Sequence, residues 1–376
     1  MGKKTVDASH KRIHGRQAAR LHPPACIVAC LAASIVGFIG ISASSRQAPE
    51  NLLSEYRGMC DASAAVDLGN GLLAVANDED NTIRVYRWAE PEPVQTISLD
   101  RFLALDPEET NPESDIEAAT RAGDLVFWIG SHGRDRKGRW RRNRQRFFAM
   151  RLVEKQGLRT LAPAGRPYQG LVRDLCADPR LSALGIGKAA GLGKEKKPSL
   201  APKEEGLNIE GLSRMPGSRS LWIGFRNPTP AGKALLVPLL NPDSLVFGTG
   251  QARFGDPVLL DLEGLSIRSI EYIEALNAYA ILAGRAEGGN LFRILTWSGR
   301  PGDRPVEWRG FLWADRDRFT PEALTASGDR KTVWLLSDDG GLPVRQHGTD
   351  IPCPCKRLDR QEDKRFRAFR LEIGIP

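Results

Sequence analysis

Five acidic residues recur at matched places along the sequence, and they are the residues best suited to chemistry. Asp61, Glu117, Glu210, Glu271 and Glu322 each precede a turn, an apolar run and a polar loop, with steps of 56, 93, 61 and 51 residues. Ionised carboxylates about 8 Å apart repel by roughly 2 kcal/mol for each neighbouring pair. A divalent cation would relieve this repulsion, and oxygen ligands favour Ca²⁺ or Mg²⁺. The pattern therefore predicts a Ca²⁺ or Mg²⁺ site.

Two other arrangements could reduce the repulsion between the carboxylates, and a purely structural role fits the same pattern. Neighbouring cations (Arg226, Arg268 or Arg285) could neutralise the carboxylates, or their pKa values could be raised. In the structural alternative, each acid accepts backbone N–H bonds from its own loop and only fastens one repeat to the next. Internal similarity alone does not separate fastening from chemistry.

The polar residues after the apolar runs are candidates to contact a substrate. Arg226, Asn227 and Arg285 are predicted to bind a small anionic ligand. His132 is the histidine at a matched position, and it is the candidate general base. The sequence contains no GxSxG, no HExxH and no dinucleotide-binding motif in a strand-to-helix context, so no nucleotide or organic cofactor is expected.

The repeat that carries the acids predicts an all-β fold. Three of the four steps match one propeller blade in length, which favours a β-propeller of five four-stranded blades, with six blades as the alternative. The last copy has too few strands, so a strand near residues 52–57 is predicted to complete it and close the ring. In such a ring the starts of the innermost strands share one face, where the acids and polar loops converge.

Three segments add to this face. An insertion at about residues 166–206 is predicted to be a lid or a linker. Residues 134–151 hold nine Lys or Arg and one Asp, which could hold phosphate, an acidic glycan or a lipid headgroup, or could form a solvated surface loop. The oxygen-rich segment NDEDN at residues 77–81 could bind calcium, or form a turn in which Asp and Asn bond to their own backbone.

The N-terminal part of the chain has the pattern of an export signal. Residues 25–41 are uncharged and mostly apolar, follow a basic segment and precede small residues. Residues 1–45 are thus predicted to be a signal peptide or an uncleaved membrane anchor, and residues 46–376 a single propeller domain in the periplasm or outside the cell. Six Lys or Arg and one Asp in residues 1–45 leave +3 of the formal +8 for the rest. This balance gives no support for nucleic-acid binding, and a monomer is favoured.

Four cysteines follow the signal: Cys60, Cys176, Cys353 and Cys355. In an oxidising compartment they are expected to form disulfides, and four cysteines allow three pairings that the sequence does not separate. A zinc site made of all four thiolates is the alternative.

Several longer strings carry a family resemblance: CDASAAV, NDEDNTIRVY, FWIGSHGR, LNIEGLS, WIGFRNP and FGDPVLLDL. Over roughly residues 59–337 the chain resembles the bacterial family named domain of unknown function 3616, which implies no catalytic residue. More loosely, the IEG strings are similar to exported esterase-like phytase propellers. That likeness implies a cation-dependent phosphoester hydrolase with Glu117, Glu210 and Glu271 near the metal.

The sequence thus predicts an exported propeller with one functional face. The predicted activity is divalent-cation-dependent hydrolysis of a phosphate or other ester. The alternative is a non-catalytic ligand- or protein-binding propeller of the cell envelope, in which the basic segment and the insertion recognise an acidic component.

Overall fold

Five four-stranded antiparallel sheets, here called blades, make up the fold of the computed structural model, which describes residues 53–109, 112–308, 318–328, 331–345 and 351–372. The predicted five-bladed propeller is confirmed. The predicted signal or anchor, residues 1–45, lies outside the described residues. Within the described ranges, no helix is long and apolar enough to cross a membrane.

The strands of the blades follow one another along the chain, with one exception at the start. The first strand is β1 (Leu53–Arg57). Blade one comprises β2 (Ala64–Gly69), β3 (Leu72–Ala76), β4 (Thr82–Arg87) and β5 (Pro93–Ser98). Blade two comprises β6 (Ile116–Ala122), β7 (Leu125–Gly130), β8 (Phe147–Lys155) and β9 (Leu158–Tyr168).

The remaining blades repeat this order. Blade three comprises β10 (Asn208–Arg214), β11 (Leu221–Asn227), β12 (Ala234–Leu239) and β13 (Val258–Leu260). Blade four comprises β14 (Ser266–Ile273), β15 (Ala278–Gly284), β16 (Phe292–Trp297) and β17 (Val306–Glu307). Later strands are β18 (Pro321–Ala326), β19 (Thr332–Ser337), a small ribbon of β20 (Pro343–Arg345) and β21 (Pro352–Pro354), and β22 (Arg365–Glu372).

Blade five is completed by the first strand of the fold. Its order is β18, β19, β22 and β1, with Leu53 opposite Phe369 and Arg57 opposite Arg365. The stacked rings of Tyr56 and Phe366, 5.2 Å apart, lie in the core between blades five and one. The predicted closure by residues 52–57 is therefore confirmed, and it covers an edge of the sheet that would otherwise be unpaired.

The second strand of each blade is the most deeply buried, because it packs against a neighbouring blade on both faces. All six residues of β7 are buried, and Phe127 and Trp128 lie on its opposite sides in separate core clusters. A strand covered on both sides is a continuous apolar run, not an alternating one. Complete burial of one such side chain contributes roughly 2 kcal/mol.

The insertion between blades two and three is partly helical. After a short α1 (Asp100–Leu103) in blade one, the chain forms α2 (Leu171–Ala177), α3 (Pro179–Ala183) and α4 (Ile186–Ala190), and α5 (Pro242–Phe247) follows in blade three. The apolar sides of the insertion helices, including Leu175 and Ile186, join the core between blades two and three. Strand β9 extends to Tyr168, so the insertion begins slightly later than the sequence suggests.

Candidate functional site

A β-bulge near the start of the innermost strand positions three of the predicted acids. The strand pairing shifts register across Glu117 in β6, Glu210 in β10 and Glu322 in β18. A bulged residue is left out of the ladder and its side chain is re-aimed. Each innermost strand contacts the next one around the ring. Carboxylates distant in sequence therefore meet near the axis of the propeller.

These three residues, here called the carboxylate trio, lie close enough to share one cation. Each offers a carboxylate oxygen within 4.8 Å of the others. They line a cavity of about 600 Å³ at the face where the innermost strands begin. Oxygen donors at this separation suit a hard divalent cation such as Ca²⁺ or Mg²⁺ better than a soft metal.

Arg268, and not Glu271, occupies the corresponding bulge in blade four. The register shift in β14 lies between Ile267 and Ser269, so Arg268 is the bulged residue. Glu271 lies three residues further along the strand, and the charged groups that perturb it are Arg214 and Asp67. The structure therefore does not bring Glu271 to the trio. Alignment of the bulged residues matches Glu210 in NIEG to Arg268 in SIRS, whereas the sequence analysis matched Glu210 to Glu271.

Two arginines neutralise part of the trio. The Nε atom of Arg268 lies 3.1 Å from Oε2 of Glu210, and its Nη2 donates to Glu322. The Nη1 atom of Arg226 donates to Oε1 of Glu210 at 2.9 Å. Glu117 forms no hydrogen bond or ion pair with any residue that the structure describes. Its charge is thus the one that these arginines leave unpaired.

Burial and repulsion between neighbouring carboxylates raise the pKa values of two members of the trio, Glu117 and Glu322. Burial, followed by the charges of Asp115 and Glu210, raises the pKa of Glu117 well above its usual value. Burial raises the pKa of Glu322 to about 7, opposed by Arg268. A cation that binds here must displace protons from these carboxyl groups.

Asp61 lies at the cavity in a separate acidic pair. It hydrogen-bonds to Asp338, and the two residues also form a backbone bridge. Burial and this contact raise the pKa of Asp61, whereas the hydrogen bond from Asp61 lowers the pKa of Asp338, so the pair holds one proton. A Cβ on Gly340 would lie 1.9 Å from Oδ1 of Asp61, so only glycine fits beside the pair.

The loop at residues 77–81 contributes Asp78 to the cavity. Asn77 and Asp80 accept hydrogen bonds from backbone amides two residues later, as in the turn that the sequence offers as an alternative to a calcium loop. Asp78 lines the cavity, and its buried Oδ1 has no hydrogen-bond partner among the described residues. Burial raises the pKa of Asp78 well above its usual value, and Glu322 adds to this effect.

The mouth of the cavity is basic although its floor is acidic. Exposed cations line the mouth: Arg136, Lys137, Arg139, Lys203 and Arg285. Arg285 lies 3.6 Å from Glu287, and Lys356 pairs with Glu79 at 2.8 Å. The opposite signs at mouth and floor suit an anionic ligand that approaches a cation held below.

The basic segment, residues 134–151, is not a solvated loop throughout. Arg134 is 2% exposed and donates to the carbonyl oxygens of Gly138, Gly191, Gly193 and Glu195. Arg146 is 1% exposed and also donates to backbone carbonyls. These buried arginines hold the loop and the insertion in place, and three exposed members, Arg136, Lys137 and Arg139, line the mouth.

Asn227 anchors the insertion and does not line the cavity. Its Nδ2 donates to the carbonyl oxygens of Pro202 and Glu204, at 3.0 and 3.1 Å. The residue between them, Lys203, lines the cavity. Asn227 therefore fixes the position of a cation at the mouth, and its amide is already occupied.

His132 lies under the cavity wall and does not line the cavity. It is 1% exposed, and Nδ1 donates to the carbonyl oxygen of Gly130 at 2.8 Å. Burial lowers its pKa to about 4, so the ring is neutral. Its backbone has a φ of 56°, which turns the side chain inward, a direction that the sequence does not disclose.

A disulfide between Cys60 and Cys355 lies beside the cavity. The two Cα atoms are 5.9 Å apart, and Cys176 and Cys353 are free. The adjoining residues, Asp61 and Lys356, both line the cavity. The pairing contradicts the alternative of a zinc site with four thiolates.

Several cavity residues are missing from the sequence prediction. Asp115, Asn208 and Lys203 were not predicted to line the cavity. Arg268 and Lys356 also line it, and the sequence did not predict their positions there. Alignment of the bulges by their apolar neighbours would have found Arg268. Asp115 and Asn208 each lie two residues before a bulged glutamate, in DIE and NIE, so the repeat could have found them as well, whereas Lys203 and Lys356 lie in irregular segments between the blades.

The fold and the site together define a five-bladed propeller with a carboxylate-floored axial cavity. Residues 61–161 match the family model described as Protein of unknown function (DUF3616), so the resemblance found in the sequence is confirmed over these residues. No curated protein matches the sequence.

Solved structures from several organisms show a distant likeness. A candidate oxidoreductase (glucose dehydrogenase) from Thermus thermophilus is 14% identical, with a TM-score of 0.41, over 85% of this chain and 99% of that one. Myxococcus xanthus glutaminyl cyclase is 10% identical, with a TM-score of 0.37, over 85% and 95%. The PQQ-bound aldose sugar dehydrogenase of Streptomyces coelicolor is 12% identical, with a TM-score of 0.36, over 85% and 98%. Likeness at this level carries no argument about activity.

Proposed function

We propose that the protein is a divalent-cation-dependent hydrolase of a phosphate or other ester. The observation that carries the proposal is the carboxylate trio, whose oxygens lie within 4.8 Å of one another on the floor of a cavity with a basic mouth. The trio would hold Ca²⁺ or Mg²⁺, and the exposed cations above would draw in an anionic substrate.

The residues of the cavity divide into three roles. The carboxylate trio would hold the cation, which would supply Lewis acidity at the ester oxygen and would lower the pKa of a bound water. Arg226 and Arg268 orient Glu210, since both contact its carboxylate. Asp78, which is buried beside the trio with an unpartnered oxygen, is the candidate acid or base. His132 is less suited to this role because it is enclosed behind the wall.

A second candidate function is a non-catalytic ligand-binding propeller of the cell envelope. Arg268 already contacts both Glu210 and Glu322, so part of the trio's charge is balanced without a cation. In this case the basic mouth recognises an acidic envelope component, and the trio fastens three blades together. The two candidates differ in their response to added cation.

We further propose that the propeller works in the periplasm or outside the cell, with residues 25–41 as a membrane tether if the segment is not cleaved. The disulfide between Cys60 and Cys355 supports an oxidising compartment. Alkaline phosphatase fusion after residue 60, compared with a fusion that lacks residues 1–45, tests this placement.

Thermal denaturation with Ca²⁺, Mg²⁺ or EDTA, followed by turnover of p-nitrophenyl phosphate and p-nitrophenyl acetate, tests the hydrolase. A cation present at about 100 times its Kd should stabilise the fold by about 2.7 kcal/mol. Cation-dependent turnover of either ester supports the proposal. A protein that neither responds to a cation nor turns over these esters would be the binding module.

A further inference from the structure

One nitrogen of the Arg226 guanidinium group, Nη2, is buried without a hydrogen-bond partner in the part of the chain that the structure describes. The side chain is 4% exposed; Nε donates to the carbonyl oxygen of Ala286 at 2.7 Å and Nη1 to Glu210 at 2.9 Å. Its Nη2 is buried and has no hydrogen-bond partner among the described residues. An unsatisfied buried donor on a cation is costly, and a missing ligand is one of the few explanations.

A second cation borders the same space. A Cβ built on Gly288 would lie 3.7 Å from Nη2 of Arg226 and 3.9 Å from Nζ of Lys203. Lys203 forms no ion pair with any residue in the described ranges. Gly288 and Gly289 have φ angles of 96° and 105°, and both line the cavity. The turn thus leaves open a small space between Nη2 of Arg226 and Nζ of Lys203.

We propose that Arg226, Lys203 and the turn at Gly288 form a subsite for a tetrahedral oxyanion, which takes inorganic phosphate or the phosphoryl group of a phosphomonoester. Charge-assisted bonds from a guanidinium and an ammonium match such a group. The subsite adjoins the trio, because Arg226 contacts both the open space and Glu210. The inference rests on the proposed function only in treating this oxyanion as part of the substrate, and it selects phosphoesters over neutral esters.

Asn227 positions one arm of this subsite. Its amide holds the carbonyl oxygens on either side of Lys203, so the lysine is held beside Gly288 by a residue that does not itself contact the space. The same strand, β11, therefore supplies Arg226 directly and Lys203 through Asn227.

Isothermal titration of the full chain with inorganic phosphate tests the subsite, with sulfate and acetate as comparison anions. Titrations without and with Mg²⁺ separate binding by the protein from binding by a cation. Lys203→Gln should weaken phosphate binding about tenfold, the loss of roughly one charge-assisted bond. Lys196→Gln is the matched control, since it lies exposed in the same segment but not at the cavity. Equal phosphate affinity in the wild type and Lys203→Gln would overturn the proposal.

Two glycine variants test the space itself without a change in charge. The methyl group of Gly288→Ala would sit against both nitrogens and exclude an oxyanion, so phosphate binding should be lost. Gly289→Ala carries the same backbone strain, but its methyl group meets nothing within 4 Å, so binding should persist. Equal affinities in these two folded variants would contradict the subsite.

Kinetics and binding distinguish this inference from the proposed function. If phosphate binding depends on Lys203 but the protein turns over neither esters nor phosphoesters, the subsite is supported and the proposed hydrolase activity is contradicted. If Lys203→Gln turns over p-nitrophenyl phosphate with an unchanged KM, the hydrolase activity is supported and the subsite is contradicted. With a phosphomonoester as ligand, tighter binding than inorganic phosphate identifies the ester as the natural occupant, and weaker binding identifies free phosphate.

Discussion

Arg268 and Glu210 occupy the same bulge position in adjacent blades, and Nε of the arginine lies 3.1 Å from Oε2 of the glutamate. One repeat position thus supplies both a carboxylate and its counter-ion. The remaining carboxylate without a partner among the described residues, Glu117, is the most sensitive probe of the trio.

Glu117→Gln should separate cation binding from stability. Removal of one of three crowded charges should leave the free energy of unfolding without cation unchanged or raise it by about 1 kcal/mol. The stabilisation by Ca²⁺ or Mg²⁺ should disappear, because one ligand is lost. Chemical denaturation with and without cation measures both effects. Glu271→Gln is the matched control and should keep the cation response, since Glu271 lies away from the trio; loss of the response in both variants would contradict the assignment.

Arg268→Gln should destabilise the protein without cation by about 3 kcal/mol, because it leaves Glu210 and Glu322 buried without one of their counter-ions. Divalent cation should recover part of this loss, since it replaces the missing positive charge. Urea denaturation at several Mg²⁺ concentrations measures the recovery. The exposed Arg285→Gln serves as control and should change stability by less than about 0.5 kcal/mol. Equal losses with and without Mg²⁺ would count against a cation site.

Glu271 should make stability depend on pH. Burial raises its pKa to about 8 from 4.5. Because the folded-state pKa is raised, its favourable contribution is complete below about 4.5 and is lost as the pH rises through about 8. One pKa unit corresponds to about 1.4 kcal/mol, and solvent screening at a partly exposed group reduces the sum. Glu271→Gln should thus be more stable than the wild type by on the order of 2 kcal/mol at pH about 9. The same comparison at pH about 4.5 should show no difference, and Glu307→Gln should show none at either pH.

The disulfide should contribute strongly to stability. Cys60 and Cys355 are separated by 295 residues, so the bond restricts a very long loop in the unfolded chain. Replacement of both by serine should cost about 2 to 5 kcal/mol in guanidinium denaturation. The control Cys353→Ser removes a free thiol from the same region and should cost much less. A double variant as stable as the wild type would show that the ring closes without this bond.

Asn227→Ala should loosen the segment that carries Lys203. Loss of the bonds to Pro202 and Glu204 should increase local opening, and trypsin should then cut near Lys203 faster. Peptide mass spectrometry during limited digestion locates the cut. Asn241→Ala is the control, because its amide holds a different turn, at Gln251. Faster cleavage in both variants would indicate general destabilisation.

The sequence predicts the architecture well because blade length and strand alternation are local properties. The closing strand near residues 52–57 follows from a strand missing in the last copy. Side-chain direction is harder to predict. Glu271 and Arg268 differ by three residues, and a bulge decides which of them faces the axis. His132, whose φ is positive, lies behind the wall of the cavity. Asp61 contacts Asp338 only when the ring of blades closes. The bulge leaves a trace in the flanking apolar residues, but the Asp61–Asp338 contact joins residues far apart in sequence, which no local pattern encodes.

Blade five is completed by β1, so the cavity can form only after the two ends of the folded domain have paired. Leu53 of β1 pairs with Phe369 of β22, and Asp61, which precedes β2, forms an isolated bridge with Asp338, which follows β19. Pairing between such distant residues is slow to form. The ring, and with it the cavity that the ring encloses, is therefore complete only after β22 is made, so chains truncated before β22 have no complete cavity with which to bind a ligand.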